Sequence, residues 1–290
     1  DPDQMATGGF PKNGGFPRNQ VVRRLLLLTL DPLTGYSRAM RAILTATLFV
    51  SGLFAALAAA DAVGAAEDLD YEDQRATLMR NVEAHAKVLK EFAGLEPPSG
   101  RVLQAMGDVP RHEFLPEELK PFAYLNRPLP LGFGQNISEP YLIALMTDLA
   151  KISADDIVFE TGTGAGYQSA ILAKLAKRVY SVEIIKPLAR RAAKTLSRLG
   201  FKNVEVRFGD GYFGWAEHGP YDAMIIKESM TYIPVPLLNQ LKPGGRMVVP
   251  LGPANGQQYL TLIRKGLNGE IREKRILPVR FSPLQGGERL

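Results

Sequence analysis

The stretch Val158 to Ala170 reads VFETGTGAGYQSA. A short apolar run ends in Glu160, and glycine then takes every second position at Gly162, Gly164 and Gly166. Glycines so placed after a strand let backbone come close to a ligand, at the carboxyl end where open α/β sheets bind. A phosphate-cradling P-loop would need Gly-x-x-x-x-Gly-Lys-Ser/Thr, and this stretch does not match it. The dinucleotide fingerprint would need its third glycine at position 167. Tyr167 stands there, and the third glycine comes one residue early.

Working outward from this loop, strand-like and helix-like segments alternate. Strands are expected at 156–160, 178–183, 203–208, 222–226 and 246–250, with amphipathic helices between them. In KPLARRAAKTLSRL, Leu188, Ala192, Leu196 and Leu199 share one face, and Gly200 stops the helix. Its Arg190, Arg191, Lys194 and Arg198 read as a solvated face. QYLTLIRK and RILPVRFSPL add two strand candidates with no helix between them, and Pro278 and Pro283 suit only an edge or a strand end. The expectation is an α/β fold with a mostly parallel seven-stranded sheet, helices on both faces and an antiparallel C-terminal hairpin.

Upstream, residues 67–150 are expected to form an N-terminal helical part and a substrate loop, ahead of an α/β core over 151–290. Leu78, Val82, Val88, Leu89 and Phe92 mark the apolar face of a first helix, and GRVLQAMGDV reads as a short second one. RPLPLGFGQNISEP, Arg127 to Pro140, reads as a loop, and YLIALMTDLAKI as the helix after it.

Residues 1–66 differ. Gly, Pro and Asn crowd 1–39, which reads as a disordered leader or vector-derived sequence. In 40–66, Arg41 precedes an uncharged run over 42–60 and a small-residue exit, the order of a secretory signal. Nineteen residues also approach the length of a membrane span, so an uncleaved anchor with membrane association competes. Either reading implies an exported, periplasmic or anchored protein, and a cytoplasmic one if the segment is not functional.

Bulk composition sets limits. Six of the 35 Lys and Arg and four of the 30 Asp and Glu fall before residue 67, which leaves a basic excess of only three. That is too mild for a nucleic-acid partner. With no cysteine, disulfides, thiolate metal sites and cysteine nucleophiles are excluded. The histidines His85, His112 and His218 lack metal-ligand spacing, so no metal is expected and structural roles are assigned to them.

The glycine loop can now be given a ligand. Glu160 ahead of the glycines disfavours pyrophosphate and favours a ligand with a positive group. S-adenosylmethionine carries a sulfonium and an ammonium and has no phosphate. Glu183, ending the second strand, can accept from ribose hydroxyls, and Asp210 in GDG from an adenine amino group. Glu160, Gly162, Thr163, Gly164, Gly166, Glu183, Asp210 and Gly211 are the expected cofactor residues.

VPRHEFLPEELKPFAY, RPLPLGFGQNISEPYLIALM, ETGTGAGYQSA, GDGYFGW and VRFSPL together resemble the protein-L-isoaspartate O-methyltransferases. The resemblance spans about Arg101 to Leu284, and its specific part is the GxGQxIS loop. It implies a Rossmann-like class I methyltransferase fold, S-adenosyl-L-methionine as cofactor, and repair of isoaspartyl residues in damaged proteins by carboxyl methylation. It also places Ser138 at the family's active-site serine, with Gln135, Asn136, Ile137 and Ser138 on the substrate. Asn136, Glu139 and the KESM run from Lys227 to Met230 depart from the family pattern. Lys227 and Glu228 are therefore expected on the substrate side, with Lys227 attracting an anionic acceptor or pairing with Glu228. The acceptor is an isoaspartyl peptide or protein; another carboxylate, or a non-catalytic binding role on the same fold, are the alternatives. A monomer is expected.

Overall fold

The computed structural model describes residues 70–286. The readings of 1–39, 42–60 and 40–66 lie outside them. Helix α1 (Tyr71–Ala93) starts where Asp70 Oδ1 accepts from the amides of Glu72 and Asp73, and ends at Gly94 in the left-handed conformation. Its buried stripe is Leu78, Val82 and Ala86. Val88 and Phe92, expected on the same face, are 43% and 67% exposed. At about 100° per residue they point roughly 120° and 80° away from Val82, outside the stripe.

Helix α2 (Gly100–Asp108) and two 3₁₀ turns, Arg111–Phe114 and Glu117–Phe122, lead to a two-stranded antiparallel hairpin. Its strands are β1 (Leu129–Gly132) and β2 (Gln135–Ile137). This stretch was expected to be a loop. Leu129 and Ile137 pair and are both buried, which fixes the register, and Gly132, Phe133 and Gly134 turn the chain with positive φ. Pro130 is tolerated because the hairpin is all edge. Helix α3 (Pro140–Ala150) is buried almost all round, between α1 and α2 on one side and the sheet on the other.

The main sheet follows: β3 (Ile157–Thr161), α4 (Tyr167–Leu175), β4 (Arg178–Glu183), α5 (Lys186–Arg198), β5 (Val204–Phe208), β6 (Tyr221–Ile225), α6 (Val235–Gln240), β7 (Leu241–Leu251), β8 (Gln258–Lys265) and β9 (Ile271–Val279). Strand order is β5-β4-β3-β6-β7-β8-β9. The first five strands in that order are parallel, while β8 runs antiparallel to both β7 and β9. Helix α5 closes with Phe201 N–H to Leu196 C=O and Gly200 N–H to Ser197 C=O, as Gly200 (φ +81°) allows. The KPGG segment, which looks like a turn, is absorbed into β7 as an irregularity opposite Tyr221–Ala223.

Alternating side chains build two cores. Val158, Ala223, Ile225, Val248, Leu260 and Leu262 face the larger one with α1 to α5. Phe159, Met224, Met247, Val249 and Ile263 face the smaller one, covered by Trp215, Tyr221 and α6. The second face thus carries one short helix and the 3₁₀ turns Gly211–Phe213 and Ala216–His218, thinner cover than the first. Among the described residues no helix is long and apolar enough to cross a membrane.

Candidate active site

Strand β3 is the topological switch point. From it the chain winds outward through β4 and β5, then returns to β6 on the other side of β3. At such a point the loops leaving adjacent strands part and open a crevice at the carboxyl edge of the sheet. A cleft of about 430 Å³ lies there, within the range that holds a nucleoside-sized ligand.

The glycine loop forms one wall. Gly162, Gly164 and Gly166 all have positive φ, at 62°, 57° and 92°. Gly162 N–H donates to Val182 C=O, and Gly164 N–H donates to Glu183 Oε2 at 2.7 Å. The other Glu183 oxygen accepts from Ile185 N–H at 2.9 Å. Each carboxylate oxygen keeps a second lone pair, so this buried acid at the cleft wall can still accept from ligand hydroxyls.

Beneath the loop lies a closed polar network. Glu160 is fully buried and does not line the cleft. Its Oε1 accepts from Lys227 Nζ at 2.7 Å, and its Oε2 accepts from Ser181 Oγ at 2.7 Å and from Ser169 Oγ. Ser181 gives its one hydroxyl proton to Glu160, so Thr163 Oγ1 is the donor across their 2.6 Å contact. The acid that opens the motif therefore shapes the loop, and its charge is answered by Lys227 within the protein.

Gly162, Thr163, Gly164, Glu183 and Gly211 line the cleft. Gly166 does not. It caps α4 and packs on Leu196 and Ala192 of α5, leaving 3.2 Å between an added Cβ and Leu196 Cδ1. Asp210 also lies off the cleft lining; its Oδ1 accepts from Tyr212 N–H and shapes the turn after β5.

On the opposite side, Gln135, Asn136, Ile137 and Ser138 line the same cleft. Arg111 holds that side from behind. It is fully buried, donates from Nε to Ala123 C=O at 2.9 Å and from an Nη to Ser138 C=O at 2.8 Å, and lies over the Tyr167 ring. Burial lowers its pKa to about 10, with nearby Tyr167, Tyr124 and Glu139 opposing. Glu139 lines the cleft too; burial raises its pKa while Arg111 lowers it.

The end of β6 supplies Lys227 and Glu228, both on the cleft wall. Lys227 pairs with Glu160 instead of Glu228, since β6 lies beside β3 in the sheet. Glu228 Oε2 accepts from Thr161 Oγ1, and a Cβ added to Gly162 would fall 2.2 Å from Glu228 Oε1. Burial pushes the Glu228 carboxyl up to about 7, against the Thr161 hydrogen bond and Lys227 and with Glu183 and Glu160 adding to the rise.

Two contributors lie in segments that carry the resemblance but were not assigned to the site from the sequence. Arg111 is one. The other is a strap, residues 280–285, that lines the cleft. Ser229 N–H donates to Ser282 C=O and Leu284 N–H to Ser229 C=O. Gln258, itself buried, accepts from Phe281 N–H at 2.7 Å and donates to Phe281 C=O and Ser229 Oγ. A glutamine opening a strand whose centre is apolar, with VRFSPL downstream, was the available signal. The histidines have packing roles: His85 stacks on Tyr141, His112 on Tyr71 and His218 on Tyr180.

Switch-point cleft, glycine loop and ribose-ready acid together define an S-adenosylmethionine-dependent methyltransferase of the Rossmann-like class I fold. The family model for protein-L-isoaspartate(D-aspartate) O-methyltransferase matches residues 88–289. This chain belongs to that family. Protein-L-isoaspartate O-methyltransferase 2 of Syntrophobacter fumaroxidans is 49% identical over 239 residues, 82% of this chain and 96% of its own. Protein-L-isoaspartate O-methyltransferase 1 of Cupriavidus necator is 49% identical over 80% of this chain and 89% of its own. Among solved structures, a protein-L-isoaspartate O-methyltransferase superposes with a TM-score of 0.63 at 27% identity, covering 73% of this chain and 66% of that one. A beta-aspartate methyltransferase from Plasmodium falciparum in complex with S-adenosyl-L-homocysteine shares the fold, with a TM-score of 0.60 at 22% identity over 75% of this chain and 99% of that one.

Proposed function

We propose that this chain methylates the free carboxylate of L-isoaspartyl residues in damaged proteins. The observation that carries this reading is the meeting of QNIS and the glycine loop in one cleft, with Arg111 fixing the Ser138 backbone. When bound, the cofactor supplies an electrophilic methyl group on a sulfonium sulfur. The acceptor carboxylate, with an ordinary pKa of about 4, is ionised at neutral pH and attacks without a general base. The protein's task is then alignment and exclusion of water, which supply roughly 7–11 kcal/mol when the geometry is held. Ser138 Oγ and the β2 backbone orient the acceptor carboxylate, Glu183 holds the cofactor's ribose hydroxyls, and the strap closes the outer wall. Ser138 orients and does not attack.

Transfer of labelled methyl to an isoaspartyl peptide, with the matched aspartyl peptide as control, tests the proposal. Selective labelling of the first supports it, while equal or zero labelling of both rejects it. A second reading, a different carboxylate acceptor, is favoured by Glu139 and Glu228 lining the cleft, since each repels an anion when ionised. Labelling of another carboxylate in place of the isoaspartyl peptide would establish it. We further propose that the chain acts as a monomer and that 40–66 exports or anchors it. Sedimentation of the purified protein and fractionation of cells expressing the full chain, with N-terminal sequencing, check these two points.

A further inference from the structure

Five charged side chains line the cleft: Glu139, Glu183, Lys227, Glu228 and Arg280. Their partners separate them. Lys227 is engaged by Glu160 at 2.7 Å, and Glu160 has two serine hydroxyls besides, so this pair is a closed neutral unit. Glu139 lies beside buried Arg111, at the Ser138 end. Arg280 belongs to the strap. Glu183 uses its two oxygens on loop amides. Glu228 differs from all of these. Among the described residues it accepts its hydrogen bond from the neutral Thr161 hydroxyl, and its other oxygen presses against Gly162, the first glycine of the cofactor loop. Lys227, Glu160 and Glu183 are the charged groups that act on it from β6, β3 and β4. With Lys227 already paired to Glu160, Glu228 forms no salt bridge among the described residues, and Arg280 of the strap is the remaining cation in the cleft lining.

We propose that Glu228 is the counter-charge for the cofactor's positive charge, giving up its proton when S-adenosylmethionine binds. Seated against the glycine loop, an ionised Glu228 attracts a sulfonium or an ammonium and would repel an acceptor carboxylate. Its role therefore lies on the cofactor side, not the acceptor side. The proton goes to solvent, and no covalent bond changes. A carboxyl poised near neutrality suits such an exchange, since it is partly protonated in the free enzyme and ionises when a cation arrives. The inference rests on the cofactor assignment and is independent of which carboxylate accepts the methyl group.

The test is calorimetric titration of the full chain with S-adenosylmethionine and with S-adenosylhomocysteine. Each is run at pH 6, 7 and 8 in two buffers of different ionisation enthalpy, for the wild type and Glu228→Gln. Proton exchange by the ligand itself is common to both proteins and cancels. The wild type is expected to release about half a proton more than Glu228→Gln at pH 7, and less than that at pH 8. If the sulfonium is the partner, the excess appears with S-adenosylmethionine alone, and Glu228→Gln lowers the affinity ratio of S-adenosylmethionine to S-adenosylhomocysteine by about tenfold or more. If the ammonium is the partner, the excess appears with both ligands. Equal proton release by the two proteins, for both ligands, overturns the proposal. Should Glu228→Gln fold poorly, the wild type decides alone: binding of S-adenosylmethionine that does not tighten between pH 6 and pH 7, below the range where the ligand's own ammonium titrates, overturns it. Failure of the wild type to bind either ligand would instead overturn the cofactor assignment itself.

Discussion

Replacing Lys227 with Met removes the cation that pairs with Glu160. The pair is tight, at 2.7 Å, with Glu160 at 0% and Lys227 at 12% side-chain exposure. At an effective dielectric constant of about 20, their direct attraction is about 6 kcal/mol, most of it offset by the desolvation of two charges. Breaking such a buried pair from one side costs about 3–5 kcal/mol, because a charge stays behind without its partner. The two serine hydroxyls on Glu160 Oε2 remain, so the lower end, about 3 kcal/mol, is expected here. For a core of this size that lowers the melting temperature by roughly 6–12 °C. A double-mutant cycle with Glu160→Gln isolates the pair. Each single variant should lose about 3 kcal/mol or more, and the double variant should lose clearly less than the sum. Thermal and urea unfolding of all four proteins measure this. A Lys227→Met loss below about 1 kcal/mol, or additive losses, would refute the claim that Lys227 neutralises the motif acid.

Ser138→Ala should lower isoaspartyl methylation roughly 100-fold while leaving S-adenosylhomocysteine affinity unchanged, as activity and calorimetry would show. Arg111→Met leaves the Ala123 and Ser138 carbonyls without their donor and should cost about 2–4 kcal/mol in urea unfolding, with a raised KM for the peptide. Gly162→Ala puts a methyl group where Glu228 Oε1 lies and adds strain at φ +62°, so cofactor binding should be lost in calorimetry. Because the Glu228 carboxyl is raised to about 7, the folded chain binds more protons than the unfolded chain above the ordinary carboxylate range. Its stabilising contribution is full below that range and fades as pH rises through 7. Melting curves of the ligand-free protein should therefore show Glu228→Gln gaining on the wild type from pH 5 to pH 8.

Much of the core was legible because burial on both faces leaves a plain record. IVFET, RVYSVE and YDAMI are short apolar runs between turns, and each forms a central parallel strand. The β1–β2 hairpin was obscured by its own composition: Pro130 and the GFG turn look like loop, yet Leu129 and Ile137 bury enough to hold two short strands. At the site, the glycine loop and Glu183 could be placed by spacing alone, since both lie within one strand–loop–strand unit. Partners across the sheet could not. That Lys227 would reach Glu160, 67 residues away, follows only from β6 lying beside β3. Arg111 was missed for a related reason: a lone arginine in a polar stretch reads as surface, and only the tertiary fold buries it completely.

The strap has a kinetic consequence. Ser229 closes on Ser282 and Leu284 across more than fifty residues, after β7, β8 and β9 have all been laid down. Contacts of such long sequence separation form late, because their loop entropy must be met before they contribute. They are also held by few bonds and reopen before the central strands do. The strapped wall of the cleft should thus assemble after the glycine-loop wall and unzip ahead of it. Native-state hydrogen exchange would show this as earlier exchange at Ser229 and Leu284 than at Gly162.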